Sequence, residues 1–250
     1  MRVEAVARIR RDASREVDRR LDGLVSRLIA GLPERGGCHS LLHSLILRSA
    51  HVTDPHAVLH LLEQVEARDG YTARHGIRVL ALAEAIAQDF ASRSLRSEAF
   101  RLAALLHDLG KVGVPLEVLH KNGPLAPEEE QQMRRHVEIG ARLLGDLGAD
   151  VAQIVEQHHE RPDGRGYPHG LSGGAICLEA RIIAVADAFD AMTSDRPYRA
   201  GREPALALEE LHRCDGRSAN LPGQFDPEIV DALVRRLRME STGFAFARLA

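Results

Sequence analysis

The chain has 250 residues, 44% of them hydrophobic and 28% charged, with a formal net charge of −3. That length accommodates one sizeable domain with a short extension, and the mildly acidic balance excludes a broad basic face for nucleic-acid backbones. With no tryptophan and 4% aromatic residues it also lacks a base-stacking platform, so no nucleic-acid polymer is expected as a partner.

The first residues, "MRVEAVARIRRDASREVDRR", contain no apolar core of the signal-peptide kind. No apolar run approaches the roughly 20 residues needed to span a bilayer. Cys38, Cys177 and Cys214 lie far apart and form no CxxC pair, as expected of scattered thiols in a reducing, cytoplasmic setting. Val17, Leu21, Leu24, Leu28 and Leu32 recur at steps of three and four between charged residues, the pattern of an amphipathic helix. "PERGG" breaks it, and a second apolar run, "LLHSLILRSA", follows. Residues 1–53 thus read as an N-terminal helical extension, suited to homodimerisation or to docking on its own domain. Thr53 or Asp54 then serves as N-cap with Pro55 at the first helical position. Residues 54–250 form the main domain.

Helices follow in quick succession, over residues 72–90, with Ile77, Leu80 and Ala81 on one stripe, and over 97–109. Pro127 with Glu128, Glu129 and Glu130 starts another, reaching residue 147, since carboxylates favour the positive end of a helix. Ala126 is a poor cap and forgoes about 1 kcal/mol. Residues 150–159 make a further helix before "ERPDGRGYPHGLSGG", a loop by its prolines and glycines. Leu178–Thr193 is apolar nearly all round and so is expected at the centre. Helices over 204–213 and 227–240 close the chain, separated by a turn-rich segment with the insertion "RSANLPG" (217–223). No strand pattern is evident, and the expected fold class is all-α.

Five of the 13 histidines and two aspartates fall where a metal site would want them. His75 follows "DGYTAR". His107 and Asp108 end an apolar helix, and His136 lies two turns into its own. His158 and His159 are adjacent at another helix end, and Asp187 is embedded in "RIIAVADAFDAM". A buried carboxylate there would need a partner. His43, His51, His56, His60, His120, His169 and His212 are expected to stay outside the site. Five imidazoles and two carboxylates are too many for one ordinary site but enough for two. Two ions about 4 Å apart suit displacement at a phosphate.

The stretches "DGYTARHGIRV", "LLHDLGKVGVP", "VLHKNGPLAPEEEQQMRRHVEIGARLL", "HHERPDGRGYPHGL" and "ARIIAVADAFDAMTSDRPYR" together resemble the HD-GYP phosphodiesterases, a branch of the HD phosphohydrolases. The resemblance covers roughly residues 54–237. It implies an HD-type helical bundle in which His75, His107, Asp108 and Asp187 bind one metal. His136, His158 and His159 would bind the second, with Asp108 bridging and a hydroxide between the ions as nucleophile. Some relatives carry a third metal, aided by a Glu one turn before the first His. Tyr71 occupies that position here and Glu66 is two turns away, so two divalent ions, iron or manganese, are expected.

The resemblance also places Lys111 on the substrate phosphate, on the same side as His107 if the helix continues through Gly110. Tyr167 lies in a loop over the site, and Arg196 and Arg199 match positions that hold phosphate or guanine. Asp190, one turn beyond Asp187, is expected to orient an imidazole. The implied activity is hydrolysis of cyclic di-GMP, a bacterial second messenger, to pGpG and onward to GMP. The rivals are hydrolysis of another cyclic dinucleotide or nucleotide, and a catalytically silent module that works through a signalling protein partner.

Overall fold

The computed structural model describes residues 70–195, 200–217 and 223–241. The expected N-terminal extension with its domain boundary, Glu66, Arg196, Arg199 and residues 218–222 lie outside them. The described chain runs through α1 (Gly70–Ala87), α2 (Glu98–Leu106), a 3-10 turn (Leu109–Gly113) and α3 (Leu116–Leu119). It continues through α4 (Pro127–Arg134), α5 (His136–Leu144), α6 (Ala149–Gln157), α7 (Leu178–Thr193), α8 (Pro204–Arg213) and α9 (Pro227–Ser241). Among the described residues there is no strand, only an isolated antiparallel bridge between Asp163 and Ser172. The fold is all-α, as the periodicity predicts.

Local chemistry explains the helix starts. The Ser97 hydroxyl accepts from the Phe100 N–H (3.2 Å), capping α2 ahead of Glu98. Pro127 opens α4 with three glutamates in its first turn. Ala126 supplies no cap there, but the Glu129 carboxylate reaches back to accept the Ala126 N–H (2.7 Å). Helix α7 is the hub, packed against α1, α6, α8 and α9, while α2 and α5 both lie against α6. Phe100, Ile77, Leu80, Ile86 and Leu102 are fully enclosed, each stabilising the fold by about 1.5–3 kcal/mol through burial. One stripe of α7, with Ala184, Asp187 and Ala188 at helical spacing, stays partly exposed and faces a cleft.

Three helices end differently from expectation. The helix predicted over 127–147 is two helices broken at Arg135, so His136 begins α5. The helices predicted to reach 109 and 159 stop at Leu106 and Gln157. One physical cause serves all three. An unbroken helix reserves each carbonyl for the N–H four residues on. At each break a histidine ring takes a carbonyl three residues earlier: His107 on Ala104, His136 on Met133 and His158 on Val155. No proline or glycine marks these ends.

Lys111 therefore lies in a 3-10 turn and not in a continuing α-helix. Gly110 lets that turn press onto the start of α5: a Cβ there would sit 1.8 Å from the His136 carbonyl oxygen. This close approach brings Asp108 and His136 together.

Candidate metal centre

The three ring–carbonyl bonds decide the chemistry of their imidazoles. A carbonyl only accepts, so the Nδ1 atoms of His107 (2.9 Å), His136 (2.7 Å) and His158 (2.6 Å) carry the protons. Each Nε2 is then a lone pair, and each is buried with no hydrogen-bond partner. Leaving one such atom unsatisfied costs about 1–3 kcal/mol. Three converging in one place are what a cation needs.

The carboxylates lie among them. Asp108 Oδ2 is 3.5 Å from His107 Nε2 and 3.7 Å from His75 Nε2, while Oδ1 is 3.4 Å from His136 Nε2. Asp187 Oδ1 is 3.0 Å from His75 Nε2. The donor atoms fall into two groups, Asp108 with His136, His158 and His159, and His75 with His107 and Asp187, each spanning no more than 4.8 Å. These residues could hold metal ions, and the orphaned nitrogens fit that use. His120, His169 and His212 belong to neither group; His169 faces Glu156 (3.5 Å) and His212 faces Asp215 (3.3 Å).

His75 is oriented differently. Its Nδ1 donates to Asp190 Oδ2 (2.6 Å), and Asp190 also accepts from Arg78 Nε (2.6 Å), Arg78 Nη2 (3.0 Å) and the Ser194 hydroxyl (3.0 Å). Burial works against a charge on His75, but Asp187 and Asp190 outweigh it and hold the ring up at about 9. Burial, with the neighbouring imidazoles, pushes His158 well down, and burial first and His136 next bring His159 to about 3. Asp108 resists its own burial because Lys111 and the surrounding imidazoles hold its carboxyl well below the usual range. The Lys111 ammonium lies 2.6 Å from Asp108 Oδ2.

The "DGRGYP" loop closes over one side. Buried Glu160 accepts the N–H groups of His169 (2.6 Å) and Leu171 (2.9 Å). At Gly166 a Cβ would fall 2.4 Å from the Arg161 nitrogen, so the backbone can pass only there without a side chain. The Tyr167 ring then lies 4.9 Å from that of His159, with the Arg134 guanidinium 4.9 Å from its centre. Between this loop and α7 opens a cleft of about 250 Å³ that reaches His158, His159 and Asp187.

Sequence reasoning missed Arg78, Glu160, Arg134, Arg165 and Gln224. Arg78 could have been found, lying one turn after His75 on an apolar face. The others depend on how the loop folds. Tyr71 falls in the first turn of α1, with its side chain outside the described set.

Comparison with known proteins places this geometry. The HD domain family matches over residues 58–221. The chain is 40% identical to "Cyclic di-GMP phosphodiesterase PA4108" of Pseudomonas aeruginosa, over 78% of this chain and 46% of that protein. It is 38% identical to "3'3'-cGAMP-specific phosphodiesterase 3" of Vibrio cholerae, over 70% of this chain and 37% of that one. It therefore spans less than half the length of these curated relatives. A solved structure of Bd1817 from Bdellovibrio bacteriovorus shares the fold, with a TM-score of 0.54 at 20% identity over 89% of this chain and 70% of that one.

Proposed function

The chain belongs to the HD domain family, and from that premise we propose that it hydrolyses a phosphodiester bond of a cyclic dinucleotide, cyclic di-GMP foremost. The observation that carries the reading is the set of three buried, partnerless Nε2 atoms gathered around Asp108. Two divalent ions, iron or manganese, would supply Lewis-acid charge at the phosphorus and make a bound water acidic enough to attack near neutral pH. His136, His158, His159 and Asp108 would hold one. His75, His107 and Asp187 would hold the other, with the second oxygen of Asp108 turned toward them.

The chain's own residues do the rest. The main-chain carbonyls fix each ring's tautomer, and Asp190 with Arg78 fixes His75. Lys111, now on Asp108, stands ready to neutralise charge gathering on a phosphate oxygen. Tyr167 walls the site on the cleft side, and Arg196 and Arg199 would add cationic contacts to the substrate. A cytoplasmic setting, a homodimer formed through residues 1–53 and a signalling protein partner belong to the same reading.

The test is protein loaded with manganese or iron, metal counted per chain, and cyclic di-GMP followed to product by chromatography. Linear pGpG, or GMP beyond it, is expected. Protein that holds two ions and leaves cyclic di-GMP intact would overturn the substrate. The likeness to a 3'3'-cGAMP-specific enzyme favours a second reading, in which a mixed cyclic dinucleotide is preferred. Running the three purine cyclic dinucleotides side by side separates the two.

A further inference from the structure

The cleft next to the metal centre carries more than the proposed chemistry uses. At one end it reaches His159 and Asp187, where a phosphate would lie. Its floor and walls are Ala184, Ala188, Phe225 and Tyr167, two small residues and two aromatic ones. Away from the metal-facing end its polar lining is Arg134, Glu160, Arg161, Arg165 and Gln224. Aromatic and small apolar side chains beside hydrogen-bonding groups suit a nucleobase, which needs both stacking surface and an edge partner. At about 250 Å³ it is smaller than the roughly 300–1,000 Å³ pockets that enclose drug-sized ligands, room for a base and not for a whole cyclic dinucleotide.

Two features single out Arg165. Arg161, its neighbour in the cleft, is committed to Asp163 through two hydrogen bonds (3.1 and 2.6 Å). The Arg165 guanidinium makes no hydrogen bond or ion pair among the described residues, and neither does the side-chain amide of Gln224. Yet the backbone that carries Arg165 is fixed. Its N–H donates to Asp163 (3.0 Å), Gly164 N–H to the Arg161 carbonyl (2.8 Å), and Gly173 N–H to the Pro162 carbonyl (3.1 Å). The Arg165 charge is felt by Asp163, but its fork keeps its hydrogen-bonding capacity on a pinned loop, prepared for a partner outside the chain.

We infer that Arg165, with Gln224 beside it, reads the edge of a guanine base seated in this cleft, and so sets the purine preference of the enzyme. The inference rests on the proposed cyclic dinucleotide reading for the phosphate end of the site. Arg is a donor-only fork. Guanine presents two adjacent acceptors, O6 and N7, whereas adenine presents N7 beside an amino donor that an Arg cannot satisfy. The Gln224 amide both donates and accepts, so it supports either purine and leaves the choice to Arg165.

The test measures binding of GMP and AMP to manganese-loaded protein by calorimetry, with cyclic di-GMP hydrolysis assayed in parallel. Wild-type protein should bind GMP about tenfold or more tighter than AMP. Arg165→Ala should reduce that ratio to near one by weakening GMP alone. Arg165→Lys should keep part of the preference, since an ammonium also donates to O6 and N7 and, like Arg, cannot accept from the adenine amino group. Equal binding of the two nucleotides by wild type, or no binding of either, overturns the inference. So does an Arg165→Ala loss that falls equally on both, which would mean that Arg165 holds phosphate. A guanine preference that Arg165→Ala abolishes, in a protein that cleaves no cyclic dinucleotide, keeps the base site and sinks the proposed reaction.

Discussion

Four of the five imidazoles of the centre are anchored, in two ways. His107, His136 and His158 are fixed by main-chain carbonyls at the ends of helices, while His75 is fixed by a carboxylate that itself depends on Arg78 and Ser194. The first device uses what every helix end has to spare, an unsatisfied carbonyl, and no substitution of a partner side chain can remove it. The second is made of side chains and can be taken apart one bond at a time. Their electrostatics differ to match. The carbonyl-anchored His136 and His158 are kept neutral, chiefly by burial. His75 is held charged against its own burial by the two carboxylates on either side of it.

Asp108→Asn tests whether the two halves are one centre, and it carries the largest expected effect. Its two oxygens face different groups, so both ions should be lost and cyclic di-GMP turnover should fall to background. Metal per chain, by elemental analysis, is the deciding number, and one retained ion would show the halves to be independent. Asp190→Asn attacks only the side-chain anchor. It removes the carboxylate charge that faces the buried Arg78 guanidinium, at a cost to stability of up to about 3–5 kcal/mol by chemical denaturation. Metal affinity at the His75 group should fall roughly 10–100-fold, with the other group unchanged. Equal weakening of both would erase the distinction.

The charge difference is read in metal-free protein by NMR titration of the imidazoles. His75 should titrate near 9, the carbonyl-anchored His136 and His158 below their ordinary 6.5, and the neighbouring His159 near 3. The signs for stability are opposite. The raised His75 contributes stability in full below its ordinary 6.5 and loses it as pH rises through about 9. For His159 only the unfolded chain gains a proton near 6.5, so its contribution is lost as pH falls from there toward 3. His75 titrating together with His136 and His158 near 6.5 would refute the contrast.

How much of this was legible in the chain follows from the same division. The helices, and Asp190 one turn from Asp187, could be read because periodicity and i, i+3 spacing are local. Helix α7 matched its expected limits because it begins after a loop full of Pro and Gly and ends where its apolar run does. The break at Arg135 could not be read, because its cause is a histidine ring capturing the Met133 carbonyl, and a propensity pattern holds no record of that competition. Whether the helix continues through Gly110 to Lys111 was open for the same reason. The pairing of Arg78 with Asp190 spans 112 positions and appears only once α1 lies on α7. Glu160 was invisible for a third reason: its partners are backbone N–H groups, which every sequence has.

Ser194→Ala is the gentlest cut into the side-chain anchor and sharpens the contrast most finely. The hydroxyl donates to Asp190 Oδ1 at 3.0 Å, but Arg78 Nε holds the same oxygen at 2.6 Å and Nη2 holds the other at 3.0 Å. With the guanidinium fork in place, Asp190 remains ionised and aligned, and His75 keeps its 2.6 Å acceptor. The expected loss is that of one hydrogen bond to a charged group, about 1.5–3 kcal/mol at most, with metal content and turnover unchanged. Denaturation curves and metal analysis on the same preparation check both halves of that statement. If Ser194→Ala instead releases an ion as readily as Asp190→Asn, the anchor acts as one cooperative network. The side-chain half of the centre would then be as indivisible as the main-chain half.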